Sequence, residues 1–279
     1  MTVVLEARGI AVRFGGLKAV DDLSFAVPAG IIKGIIGPNG AGKTTLFNAL
    51  AGITPLTAGD ILFEGRSIRS LRPFERAARG IARTFQNLQV FPTLSLLENV
   101  MVGRHPRARS GIGASILGLP SVRREEADIE ARALAKLALL GLADRADAPA
   151  ANLSFGEAKL LEIARALVGE PRLLLLDEPA AGVPHGEHAA MAAVIRQVNA
   201  TGVTVLLVEH NMRMVMNLCH DVLVLNTGRH LAEGLPGQVS RDPGVIAAYL
   251  GADSELDSEH DSKHDSEHGS VARAGGSGA

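Results

Sequence analysis

The chain has 279 residues, with 28 Lys and Arg against 30 Asp and Glu, for a formal net charge of -2. At that length, with 47% hydrophobic and 21% charged residues, it can bury a sizeable core, which excludes collagen-like and wholly disordered readings. A single cysteine, Cys219, excludes an internal disulfide, so a secreted, disulfide-held scaffold is out and a reducing compartment is expected.

Residues 3–27 alternate apolar and polar positions around Phe14-Gly15-Gly16, which predicts antiparallel strands joined by a turn. Met1 to Glu6 lacks the basic segment and apolar core of a signal peptide. Ile31 to Ile36 reads as a buried strand, and Leu46 to Leu50 as the helix that follows it. From about 87 to 165 the pattern becomes helical, with a Gly/Ser/Pro-bearing, Arg-containing loop at 104–122. Within 123–141, Ala131, Leu134, Leu137, Ala138 and Leu140 fall on a helical repeat. A further helix opens near Ser154, with Leu160, Ile163, Ala164 and Leu167 as its apolar positions.

Leu173 to Leu176, Val203 to Val208 and Val222 to Leu225 complete a set of buried strands. Strands alternating with helices predict an α/β fold with a largely parallel sheet, an antiparallel β subdomain at the front and an inserted helical subdomain. Every apolar run is strand-sized, far short of the roughly 20 residues of a membrane span, so a membrane role is expected only through a partner. Residues 252–279 carry seven acids and two bases in Asp-Ser repeats with His260, His264 and His268. They read as a disordered acidic tail that could bind a metal only weakly. The remaining 1–251 carry an excess of three positive charges, too small to suggest nucleic acid.

The strongest chemical signal is Gly37-Pro38-Asn39-Gly40-Ala41-Gly42-Lys43-Thr44-Thr45, set between the strand ending at Ile36 and a helix. That order is a phosphate-binding loop: glycines let backbone N–H groups converge on phosphate oxygens, and the helix N-terminus favours the anion. Lys43 is expected on the β- and γ-phosphates and the Thr44 hydroxyl on Mg²⁺, which implies a bound nucleoside triphosphate. The strand Leu173 to Leu176 delivers Asp177 and Glu178 to the same sheet edge. There Asp177 is the candidate Mg²⁺ ligand and Glu178 the group that polarises the attacking water. Val203 to Val208 ends in Glu209-His210, which puts His210 beside the γ-phosphate.

Together with Leu153-Ser154-Phe155-Gly156-Glu157, these motifs resemble the ATP-binding-cassette ATPases over about residues 4 to 251. The resemblance implies ATP and Mg²⁺ as cofactors, Phe14 against adenine, and Gln86 on Mg²⁺ and the water. It also implies that Ser154 and Gly156 complete the site of a second cassette, in a homo- or heterodimer. The segments Gly80-Ile-Ala-Arg-Thr-Phe-Gln86-Asn, Leu160-Leu-Glu-Ile-Ala-Arg165, Glu178-Pro-Ala-Ala-Gly182 and Val245-Ile-Ala-Ala-Tyr-Leu-Gly251 are most similar to ATPase subunits of branched-chain amino-acid importers. Those assemble with two permeases and a periplasmic binding protein, which implies a peripheral place on the cytoplasmic face of the inner membrane. A urea importer, a lipopolysaccharide exporter or a soluble cassette is the alternative reading.

The chain departs from the family pattern at Glu157, where glutamine is commoner, and at Pro184, where relatives carry Asp or Asn. A carboxylate at 157 is expected to face away from a partner's triphosphate.

Overall fold

The computed structural model describes residues 2–84, 88–104 and 120–250. Gln86, most of the 104–122 loop and the acidic tail, with its histidines, lie outside the described residues.

Strand β1 (Val3–Phe14) turns through Gly15 and Gly16 into β2 (Leu17–Pro28), with Phe14 opposite Leu17. Gly15 takes φ +58°, which the tight turn requires and a side chain would resist. β3 (Ile32–Ile36) and α1 (Lys43–Ala51) flank the glycine loop, as expected from the sequence. β4 (Ala58–Phe63) and β5 (Arg66–Ser67) join the first hairpin in a four-stranded antiparallel sheet, order β2-β1-β4-β5. After α2 (Pro73–Arg79) and β6 (Ile81–Arg83), the described residues up to 167 are helical or irregular: α3 (Leu96–Val102), α4 (Pro120–Leu139) and α5 (Phe155–Leu167). β7 (Leu173–Asp177), α6 (His188–Ala200), β8 (Thr204–Val208), α7 (Met212–Leu218), β9 (Asp221–Asn226) and β10 (Arg229–Gly234) follow.

The second sheet runs β10-β9-β3-β8-β7-β6 and is parallel except for the β9–β10 hairpin. β3, β7 and β8 are buried along their whole length, because the sheet is covered on both faces. One core lies between the two sheets, joining Leu5, Ile10 and Val20 to Phe47, Ile35 and Leu206. The other lies on the opposite face, where Ile32, Leu174 and Leu207 meet the helices. β8 lies between β3 and β7, so the carboxyl ends of all three strands open at one sheet edge.

Two positions differ from the sequence reading. On α4 and just past its end the packed residues are Ala133, Leu137 and Leu140, while Ala131, Leu134 and Ala138 face outward. The helix leans on α3 and α5, and that contact selects the 133/137/140 stripe over the neighbouring one. Lys33, in the middle of a run read as apolar, is fully buried and ion-paired to Asp221 at 2.5 Å and to Glu233. Such a lysine is tolerated because two carboxylates meet its charge.

Candidate functional site

The phosphate loop is shaped by what its glycines must avoid. A β-carbon on Gly37 would collide with the Leu225 carbonyl, and one on Gly42 with the Ala19 carbonyl. Gly42 (φ +93°) is the N-cap of α1 and supplies no side chain to its free N–H groups. No acid lies in the first turn, so that N-terminus is open to an anion. Asn39 and Gly40 are exposed at the tip, whereas Pro38 and Ala41 are buried, and the Ala41 carbonyl accepts from Gly228 N–H (3.0 Å). Lys43 Nζ donates to the Gly37 and Pro38 carbonyls (2.7 and 2.8 Å), which aims its charge along the loop. Burial holds its ammonium below the ordinary lysine value, and the nearby Glu178 carboxylate pulls it back up. Thr44 is exposed and Thr45 half-buried at the start of the helix.

Across the sheet edge, β7 ends in Asp177, which is 2% exposed, and Glu178 follows with φ +48°. That left-handed backbone is held by Glu178 N–H donating to the Val208 carbonyl (3.0 Å). It turns the Glu178 side chain toward His210, whose Nε2 lies 2.7 Å from Oε1. With Nε2–H as the donor, His210 holds the carboxylate through Oε1. Asp177 Oδ2 accepts from Arg83 Nη2 (2.7 Å), and Arg83 Nη1 donates to Asn48 on α1 (2.7 Å).

The Thr44 hydroxyl and the Asp177 carboxylate are hard oxygen donors of the kind Mg²⁺ takes. No cluster of three His, Cys, Asp or Glu among the described residues could hold an ion alone. An ion here would therefore be shared with phosphate oxygens, as Mg²⁺ commonly is, and the donor set fits it.

Three side chains missed in the sequence tie this site together. Glu209, 4% exposed, accepts from Ala180 N–H (2.9 Å) through one oxygen and from His210 and Asn211 N–H (3.0 and 3.3 Å) through the other. Asn211 caps α7 by accepting from Met214 N–H, and its amide donates to His188 Nδ1 (2.8 Å). That fixes the His188 tautomer, so Nε2–H donates to the Val183 carbonyl (2.9 Å). The loop after Glu178 is thereby fastened to the loop carrying His210. An acid directly after a buried strand was the available signal for Glu209; nothing local marked His188.

Ser154 and Gly156 sit elsewhere, at the start of α5. Ser154 Oγ accepts from Glu157 N–H (3.3 Å) and Glu157 Oε2 accepts from Ser154 N–H (2.9 Å), a reciprocal cap. Glu157 Oε1 also meets Arg145 Nη1 at 2.5 Å, so the carboxylate turns into its own chain, as expected. Gly156 is buried beside the Glu187 carboxylate, and Gly182 would press a β-carbon on the Phe155 ring. Phe14 is 54% exposed at the end of the hairpin whose Ala19 abuts Gly42. The His210–Glu178 hydrogen bond and the charge interaction of Glu178 with Lys43 bring these three together; no described bond brings Ser154 or Gly156 to the phosphate loop.

Beside the site lies a cleft of about 520 Å³ between α2, β6, α3 and α5. Ile53, Phe74, Phe91 and Val102, all substantially exposed, line it.

Residues 20–181 match the model of the ABC transporter family, and residues 229–255 match that of the branched-chain amino acid ATP-binding cassette transporter. The chain is 39% identical over 249 residues to the high-affinity branched-chain amino acid transport ATP-binding protein LivG of Escherichia coli strain K12, covering 89% of this chain and 98% of that protein. The corresponding BraF protein of Pseudomonas aeruginosa matches at the same identity and coverage. Among solved structures, the ADP conformation of MJ1267, an ATP-binding cassette of an ABC transporter, superposes with TM-score 0.80 at 33% identity. That match covers 90% of this chain and all of the other.

Proposed function

The chain belongs to the ATP-binding proteins of ABC transporters, in the branched-chain amino acid family, and on that premise we propose how its residues drive the transport of such amino acids. ATP lies with its phosphates on Gly37–Thr45 and its adenine against Phe14. Glu178, oriented by His210, takes the proton of the attacking water as in-line displacement begins. Lys43 meets the charge that develops on the γ-phosphoryl oxygens. Thr44, Asp177 and Gln86 would hold Mg²⁺, which supplies further charge neutralisation when bound.

Ser154 and Gly156 of a second cassette close over the γ-phosphate, so binding energy favours the paired state and hydrolysis releases it. That second cassette is another copy or a related chain. No helix among the described residues is long and apolar enough to cross a membrane. Two permease subunits therefore span it, with a periplasmic solute-binding protein upstream, and this chain sits peripherally on the cytoplasmic face. The apolar cleft lined by Phe74 and Phe91 is the seat for a permease segment.

The 2.7 Å contact between His210 and Glu178, beside Lys43, carries this reading. Glu178→Gln in the assembled transporter should keep ATP affinity within about twofold and lower kcat at least about a hundredfold. Nucleotide binding and phosphate release measured on one preparation check it; ordinary turnover in that variant removes Glu178 from its role.

A further inference from the structure

One side chain grips the elements that carry Thr44 and Asp177, two of the residues proposed to hold Mg²⁺. Arg83 ends β6, and its side chain is 9% exposed against 2% for that of Asp177. Nη2 donates to Asp177 Oδ2 and Nη1 to Asn48 Oδ1, each at 2.7 Å. Asn48 lies on α1 four residues after Thr44, so the two share one face of that helix. The guanidinium carbon also lies 5.9 Å from the centre of the Phe47 ring, the residue before Asn48.

Strand pairing fixes the backbone at the end of β7, where Asp177 lies opposite Val208 of β8. It does not fix the rotation of the Asp177 carboxylate, nor the seating of α1 against this end of the sheet. A planar guanidinium with one donor on each element fixes both. A lysine could meet the charge of Asp177, but an ammonium is a point charge and lacks the rigid fork that holds two acceptors at a set separation.

We propose that Arg83 is a positioning residue for the divalent cation: by holding Asp177 and Asn48 at once, it keeps the Asp177 carboxylate in register with the Thr44 hydroxyl. The two oxygen donors, on separate elements, then act as one site. This rests on Thr44 and Asp177 holding Mg²⁺, as read above. Groups that orient a metal's ligands without touching the metal typically govern its affinity by about ten- to a hundredfold.

The test uses the full chain saturated with a non-hydrolysable ATP analogue, with Mn²⁺ as the probe. Mn²⁺ takes the same hard oxygen donors, and its free form is counted by electron paramagnetic resonance. Arg83→Lys keeps a cation beside Asp177 but loses the fork, whereas Asn48→Ala keeps the ion pair and removes the second anchor. Each should weaken Mn²⁺ binding about tenfold, while affinity for the analogue in the presence of a chelator stays within about twofold. Asn48→Asp still accepts from Nη1 and should stay within about threefold of the wild type. The two weakening changes together should cost little more than either alone, since both cut the same bridge. A merely structural role would weaken analogue binding with and without the cation alike, and that result overturns the proposal. Tighter Mn²⁺ binding in Arg83→Lys or Asn48→Ala overturns it too, because Arg83 would then compete for Asp177. Asp177→Asn separates the two readings. If it weakens Mn²⁺ binding while the Arg83 and Asn48 variants bind normally, the role of Arg83 falls and the Mg²⁺ site stands. If Asp177→Asn itself binds Mn²⁺ normally, the Mg²⁺ site as read falls, and the role of Arg83 with it.

Discussion

Glu157 stands beside Ser154 and Gly156, on the surface proposed above to meet a second cassette's triphosphate, and its charge is answered locally. The Ser154 N–H first, and then Arg145, hold its carboxyl below the ordinary glutamate value against the opposing effect of burial. A depressed folded value means that the stabilisation is full above the ordinary value and lost as pH falls through the depressed one. The thermal-midpoint gap between the wild type and Glu157→Gln should accordingly be widest near neutrality and close on acidification. Arg145→Ala leaves the carboxylate without its cation, and the ATP concentration for half-maximal hydrolysis should rise about threefold, more at low salt. Glu157→Gln in the same chain should remove most of that rise. A double-mutant cycle on the steady-state ATPase measures both effects, and additive behaviour would show that the pair does not act together.

At the scale of elements, the strands were legible almost to the residue because a sheet covered on both faces demands continuous apolar runs. Leu173–Asp177 and Thr204–Val208 are of this kind. The buried stripe of α4 was less so, since Leu134 and Leu137 are equally apolar and only the neighbouring α3 and α5 choose between them. The fastening of the loop after Glu178 was not legible at all. It depends on His188 meeting both Val183 and Asn211, and the second of these lies 23 residues away in sequence. Pro184 offers that loop no side-chain hydrogen bond, and the grip of His188 on the Val183 carbonyl next to it supplies one. His188→Ala orphans an acceptor and a donor, so kcat should fall about tenfold while KM for ATP stays within about twofold. His188→Gln, which both donates and accepts, should recover much of the loss. A kcat–KM split that goes the other way would place His188 in nucleotide binding instead.

For the whole molecule, the decisive feature is that Ser154 and Gly156, the proposed donors to a second cassette, and Glu178, the proposed base, are on separate elements, with no described bond joining the helix start to the phosphate loop. The motifs themselves were legible because each is a contiguous run; the proposed sharing of them between two copies is a geometric statement that no single run contains. A head-to-tail pair makes two composite sites, each with Glu178 from one copy and Ser154 from the other. Ser154→Arg places a bulky cation over the partner's phosphates, and Glu178→Gln removes the base, so either variant alone should be nearly inactive. Mixing them in equal amounts puts the intact Glu178 of one chain opposite the intact Ser154 of the other. Random pairing then gives mixed dimers half the time, each with one intact site of two, and hydrolysis should return to about a quarter of wild type. The recovered rate should rise with total protein concentration and vanish on dilution, because the proposed working unit is the pair. Phosphate release across a mixing series checks this, and a mixture no more active than its parts would exclude a composite site between copies of this chain.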